Sequence, residues 1–94
     1  MFDIQRTEDG SVVISGRLDA SQAARLKTVL DTITGPCTLD FAGLEYISSA
    51  GLGILLSTQK RLSGTGHGLR LVNLNKHIKE VFTVAGFHFL FDIK

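Results

Sequence analysis

Two adjacent hydroxyls, Ser48 and Ser49, carry the chemistry that this chain leaves most open to use. They stand directly before an apolar helical pattern. Leu52, Leu55, Leu56 and Leu62 fall at i, i+3, i+4 and i+10, on one face of a helix. A serine in that place is a helix start signal, because its oxygen accepts from a backbone N–H with no partner inside the helix. The partial positive charge of a helix N-terminus also favours an anion. One hydroxyl is enough for a cap, and a pair used only for capping and contact is the plain alternative. The second hydroxyl is flanked by Ala50 and Gly51, small neighbours that leave room for another protein surface. Ser49 is therefore a candidate for modification or contact.

Other reactive side chains do not assemble into a catalytic pattern. His67, His77 and His88 fall on different elements, and no pair has the i, i+4 spacing of a metal-binding helix. A serine hydrolase would need a Gly-x-Ser-x-Gly elbow, and Ile47-Ser48-Ser49-Ala50-Gly51 lacks the first glycine. Cys37 has no cationic neighbour in sequence to lower its pKa, and its place at the start of a strand predicts a buried or half-buried thiol. Ser63-Gly64-Thr65-Gly66-His67-Gly68 is glycine-rich like a phosphate loop. Phosphate loops, however, follow a strand and open a helix, whereas this one closes a helix and precedes a strand. The expectation is a binding protein with no catalytic residues, no metal and no cofactor.

The elements that must position these groups can be read in order. Phe2 to Arg6 alternates as a strand, Asp9-Gly10 marks a hairpin turn, and Val12, Val13 and Ile14 belong to the returning strand. Asp19 can cap the next helix, with Gln22 completing a loose capping box. Ala23, Leu26, Leu30 and Ile33 form its apolar stripe, and Gly35-Pro36 stops it. A short strand over Thr38–Phe41 leads through a turn at Ala42-Gly43 to the serine pair. The serine-capped helix is expected to run to Leu62 or Ser63. A strand over Leu69–Asn73 follows. Asn73 or Asn75 can cap a third helix with Ile78, Val81, Phe82 and Ala85 on its apolar face. Gly86 supplies a left-handed exit, and Phe87 to Ile93 reads as a final strand. The order is β-β-α-β-α-β-α-β. An opening hairpin followed by strand–helix alternation predicts an α/β fold, a mixed sheet with parallel pairing through right-handed crossovers.

Composition is consistent with one small domain over residues 1–94. Hydrophobic residues make up 44% and charged residues 20%, a globular rather than disordered balance. A formal net charge of +1 argues against a dedicated nucleic-acid binder. A single cysteine excludes an intrachain disulfide. No apolar run approaches the roughly 20 residues of a membrane span, and the N-terminus carries no basic-then-apolar signal segment. The expected location is the cytoplasm.

Two segments resemble a known family. Leu39-Asp40-Phe41-Ala42-Gly43-Leu44 followed by Tyr46-Ile47-Ser48-Ser49-Ala50-Gly51-Leu52-Gly53 resembles the centre of the STAS family, named for sulphate transporters and anti-sigma-factor antagonists. Gly16-Arg17-Leu18-Asp19 is similar to the Gly-x-Leu-Asp element before the family's first helix. The resemblance implies an anti-sigma-factor antagonist. In that role the unmodified domain binds an anti-sigma factor with a kinase-like ATP-binding fold, and the sigma factor is released. The partner then phosphorylates one serine at the helix start, and a serine phosphatase reverses it. Matched residue by residue, that serine is Ser49. Many phosphorylated members carry Asp directly before the target. Here it is Ser48, which makes Ser48 the second candidate acceptor. The loop holding Asp19 lies on the family's partner-binding face, so the implied contact set is Asp19, Ser48, Ser49, Ala50, Gly51 and Leu52. The alternative within the family is a constitutive subunit or scaffold, such as that of a lipid-transport ATPase, in which the serine turn is only a cap and contact.

Overall fold

Alternation of apolar and polar residues sets the first two strands of the computed structural model, which describes residues 1–94. β1 (Phe2–Arg6) and β2 (Val12–Leu18) pair antiparallel, with Ile4 opposite Ile14. The connection spans five residues, Thr7 to Ser11. The Thr7 amide donates to the Ser11 carbonyl, and the Asp9 carboxylate accepts from the Ser11 amide at 3.0 Å. Gly10 supplies the positive φ of 85° that this turn requires.

After β2 come α1 (Ala23–Leu30), β3 (Cys37–Ile47), α2 (Ser49–Ser63), β4 (Leu69–Val72), α3 (Lys76–Val84) and β5 (Asp92–Ile93). The expected element order holds. The sheet order is β1-β2-β3-β4-β5, with β2, β3, β4 and β5 parallel to one another. Right-handed crossovers that step always in one direction place their helices on one face. The core follows that rule: Val12, Ile14, Leu18, Leu39, Phe41, Leu44, Leu69 and Leu71 are buried on the helix side against Leu26, Leu30, Leu55, Leu62, Ile78 and Phe82. The opposite face, carrying Ser15, Arg17, Thr38, Asp40, Tyr46 and Arg70, has no helix over it.

Several boundaries differ from the sequence expectation. β3 does not stop at Phe41, and Ala42-Gly43 is not a turn. The strand continues to Ile47 through two irregularities in its pairing with β2. Asp40 lies opposite Val13 and Gly43 opposite Ser15, so β3 holds one extra residue there. Leu44 opposite Gly16 and Tyr46 opposite Arg17 leave Glu45 as a second extra residue. Each bulge reverses which face the next side chain meets. The buried positions of β3 accordingly run Cys37, Leu39, Phe41, Leu44, Ile47. Gly43 is needed at the first bulge, where a Cβ would lie 2.8 Å from Ser15 Cβ.

α1 ends at Leu30, before Gly35-Pro36. The Arg61 guanidinium of α2 donates to the Leu30 and Ile33 carbonyls, both at 2.8 Å, and holds that end. Ile33 is still buried although it lies beyond the helix. Phe87–Ile93 is not one strand. After Gly86 at φ 76°, Phe87–Phe89 forms a short 3-10 turn, and only Asp92–Ile93 pairs with β4. Ala85 is exposed rather than part of the buried stripe of α3.

Of the two asparagines, Asn75 caps α3. Its Oδ1 accepts from the Ile78 amide at 2.9 Å, and its Nδ2 donates to the Leu44 carbonyl at 2.9 Å, which ties α3 to the bulged part of β3. Asn73 instead leaves β4 with φ 61° and donates to Asp40. Asn75→Ala is expected to cost about 1–2 kcal/mol, the range for removal of a helix cap. Asn75→Ser is expected to keep the cap and lose only the bond to Leu44, so its melting temperature should fall between those of Asn75→Ala and the parent chain. Equal melting temperatures for all three chains would contradict this account.

Candidate functional site

The predicted site residues gather at the C-terminal ends of β2 and β3. The Ser48 amide donates to the Leu18 carbonyl at 2.8 Å, one step past the last paired residues, Leu18 and Ile47. Asp19 and Ser48 therefore leave neighbouring strand ends side by side. The first turn of α2 closes down on this junction. A Cβ on Gly51 would lie 2.9 Å from two carbon atoms of Leu18 and 3.2 Å from Ile47 Cγ1.

That contact corrects one expectation. Gly51 is buried, and its small size serves close packing of α2 against β2 rather than an outward surface. Leu52 is half-buried and packs against the core. Ser49 and Ala50 are exposed.

The two serines divide the chemistry between them. Ser48 is the cap: its Oγ accepts from the Gly51 amide at 3.1 Å, and its carbonyl accepts from the Leu52 amide at 3.0 Å. Ser49 is the first residue of α2 and exposed. At a helix start, the amides of the first two residues, here Ser49 and Ala50, have no acceptor within the helix. No acidic residue lies in the first turn. Added negative charge at Ser49 would thus meet the favourable end of the helix dipole without a like charge in that turn.

Asp19 is half-buried and caps a 3-10 turn, Ala20–Gln22, that precedes α1. Its Oδ1 accepts from the Ser21 amide at 3.0 Å and from the Ser21 hydroxyl at 2.6 Å. The expected capping box does not form, because the Gln22 side chain makes no capping bond. Asp19 titrates below its ordinary value of 3.8, chiefly because the Ser21 hydroxyl stabilises the carboxylate, with Arg17 contributing. A carboxylate depressed in the folded state adds stability that is complete above its unfolded value and lost as pH falls through its folded value. Ser21→Ala is therefore expected to raise the Asp19 pKa toward 3.8. It should lower the melting temperature at neutral pH, and that difference should narrow as the pH falls below the ordinary carboxylate value. Side-chain carboxyl NMR shifts of Asp19 check the first part; an unchanged titration would remove Ser21 as the cause.

The remaining reactive groups stay apart. Cys37 sits at the opposite end of β3 from Ser48. It is buried, and burial raises its thiol pKa, outweighing the lowering effect of Arg6. His67, His77 and His88 are all exposed and lie on a loop, on α3 and on the final 3-10 turn. The glycine-rich segment follows α2 and leads into β4, as its sequence order required. No helix is long and apolar enough to cross a membrane.

The sequence reading assigned no role to three residues of this rim: Ser21, Arg17 and Tyr46. The Asp-x-Ser spacing at Asp19-Ala20-Ser21 was a readable signal for the first. The other two form a stacked pair, with the Arg17 guanidinium carbon 4.4 Å from the Tyr46 ring centroid. Nothing local reveals that pair, because only the bulge at Glu45 brings Tyr46 opposite Arg17.

Comparisons with known proteins agree with this architecture. A family profile described as "Mlab, STAS domain" matches residues 2–92. The Bordetella bronchiseptica protein BtrV, named as an anti-sigma factor antagonist, is 33% identical over 91 residues, covering 90% of this chain and 78% of BtrV. The anti-sigma-B factor antagonist of Bacillus subtilis is 27% identical over 95 residues, covering 97% of this chain and 87% of that protein. The structure of the Bacillus cell fate determinant SpoIIAA in its phosphorylated form superposes with a TM-score of 0.72 at 20% identity, covering 100% of this chain and 91% of that one. The profile match across almost the full sequence, the relatives matched over most of their length and the shared fold lead to one assignment: this chain belongs to the STAS domain family.

Proposed function

We propose that this chain is an anti-sigma-factor antagonist that acts in the cytoplasm by binding and is switched by phosphorylation of Ser49. In the unmodified state it binds an anti-sigma factor that is also a serine kinase with an ATP-binding fold, and the sigma factor is released. Phosphate on Ser49 ends the complex, and a serine phosphatase restores it. Asp19, Ser48, Ser49, Ala50 and the exposed part of Leu52 form the contact surface, with Gly51 as its internal support. The observation that carries this reading is the division of labour at α2: Ser48 makes the cap, and Ser49 beside it is exposed at the helix start. The names of the two relatives point to the same role.

The physics of such a switch is local. A phosphate adds about −1.5 to −2 charges, which a helix N-terminus accommodates. The fold need not change. The charge and bulk obstruct a surface that must approach Ala50 closely. A second reading, a constitutive subunit, draws on the profile described as Mlab and on Ser48 standing where many phosphorylated members have Asp.

Incubation with the cognate ATP-binding partner and Mg-ATP, followed by intact-mass analysis, separates the two. One added phosphate, mapped to Ser49 and absent from Ser49→Ala, is the expected result. A stable complex with no mass change supports the constitutive subunit and leaves the serine pair as cap and contact. Phosphate on Ser48 instead would move the switch by one residue.

A further inference from the structure

The rim that carries Asp19 holds a cation that is stacked on an aromatic ring and makes no ion pair. Arg17 is exposed at the end of β2, and its guanidinium stacks over the Tyr46 ring at 4.4 Å. The four ion pairs of the chain are Arg25–Asp3, Lys27–Asp31, Arg70–Asp92 and Lys94–Asp92. Arg17 is in none of them, although Asp19 is two residues away in sequence and Glu45 precedes its neighbour Tyr46 on β3. The fold itself produces this separation. An unbulged register would set Glu45 opposite Arg17. The extra residue in β3 moves Glu45 out of register and brings Tyr46 there instead. Bulges next to sites characteristically re-aim a side chain. Asp19 lies two residues along, with its carboxylate occupied by Ser21.

We propose that the Arg17–Tyr46 pair is an anchor for the protein partner of the unmodified chain, taking a carboxylate on the partner's surface. This rests on the binding role proposed above and specifies the chemistry of the partner. An arginine stacked on an aromatic ring loses less freedom when it forms a two-point bond to a carboxylate, because its planar fork is already oriented. The stack leaves the N–H edge of the guanidinium free to donate. Arg17 lies on the open face at the same end of β2 as Asp19, so a partner that covers this rim as well as the start of α2 meets both Arg17 and Ser49. The partner surface should therefore be acidic where it faces Arg17, whatever its composition elsewhere.

The test measures binding of the ATP-binding anti-sigma factor that forms a complex with the parent chain, using Arg17→Gln, Tyr46→Leu and Ser49→Asp. Arg17→Gln is expected to weaken the unmodified complex roughly 10- to 100-fold, the range for a hydrogen bond to a charged group. It should also flatten the dependence of affinity on salt, since one charge contact is gone. Tyr46→Leu is expected to weaken binding by about two- to fivefold through loss of the stack. Melting temperatures within a few degrees of the parent exclude misfolding, and a variant that melts early is replaced by Arg17→Lys, which keeps charge but loses the fork. Parent-like affinity and salt dependence for Arg17→Gln would overturn the inference alone. An effect of Arg17→Gln confined to Ser49-phosphorylated chain would also overturn it, by making the cation a partner of that phosphate. A parent chain that binds no ATP-binding anti-sigma factor overturns the functional reading and the inference together.

Discussion

Phe82→Ala is expected to lower stability by about 3–5 kcal/mol, the range for truncating a buried aromatic side chain. Phe82 is fully buried on α3 and sits at the centre of an aromatic cluster. Its ring centroid lies 6.0 Å from that of Phe41 in β3, 6.1 Å from Phe87 and 5.8 Å from Phe91. The Phe87 and Phe91 contacts are edge-on, a favoured arrangement of aromatic quadrupoles. One side chain thus joins α3, the central strand and the segment leading into β5. Since β5 contributes only two paired residues, that edge of the sheet depends on the cluster more than on its ladder. A domain of this size has a total stability of only about 5–15 kcal/mol. The expected fall in melting temperature is roughly 15–25 °C. Phe82→Leu keeps most of the volume and should cost about 1.5 kcal/mol or less. Thermal melts followed by circular dichroism measure both. A loss below about 1 kcal/mol for Phe82→Ala would mean that the α3 edge is held by something other than this cluster.

Why some features could be read from sequence and others could not follows from the range of the interactions that fix them. Capping is local. The bond from the Gly51 amide to Ser48 Oγ spans three residues, as does that from the Ile78 amide to Asn75 Oδ1. Both caps lie beside apolar stripes of helical period, so both helices begin where the sequence places them. Gly86 likewise announces its left-handed exit. The β3 bulges are different in kind. Their origin is the register against β2, a partner more than twenty residues away. In sequence they show only as a break in the alternation after Phe41 beside a glycine, which reads as a turn. The run Phe87–Ile93 was ambiguous for a related reason. An apolar run without period does not distinguish a strand from a turn segment whose Phe87 and Phe91 fold back on Phe82. Gly51 carried the opposite ambiguity, since small size permits close approach from either side. Here Leu18 and Ile47 make that approach from within. For the site, the Ser48 cap beside an exposed Ser49 was legible because both depend on one helix start. The neighbouring position of Asp19 depends on the β2–β3 register, and only the family resemblance implied it. The Arg17–Tyr46 stack had no sequence signal, because it exists only through the second bulge.

Ser49→Asp is expected to separate binding from stability, which is the signature of the proposed switch. On the stability side, an acidic residue in the first turn of a helix is favourable by about 0.3–1 kcal/mol. The first turn of α2 has no acidic residue of its own, and Ser48 retains the cap. The melting temperature should therefore stay level or rise slightly. On the binding side, a charge placed under a closely fitting surface has no partner there and loses its water. The penalty for a buried unpaired charge is about 3–5 kcal/mol, so affinity for the anti-sigma factor should fall by roughly a hundredfold or more. Ser49→Ala removes only an exposed hydroxyl. It should bind within about threefold of the unmodified chain, since a surface substitution of this kind changes energies by about 0.5 kcal/mol or less. Its affinity should also no longer respond to Mg-ATP. Calorimetric titration of the three chains against one partner measures these differences, with melts of each chain alone as the control. Equal affinities for Ser49→Asp and Ser49→Ala would exclude a charge-operated switch at this position. Loss of binding together with a lowered melting temperature would place the effect in the folding of α2. Only weakened binding with the fold intact is what an obstructing phosphate at an otherwise unchanged helix start requires.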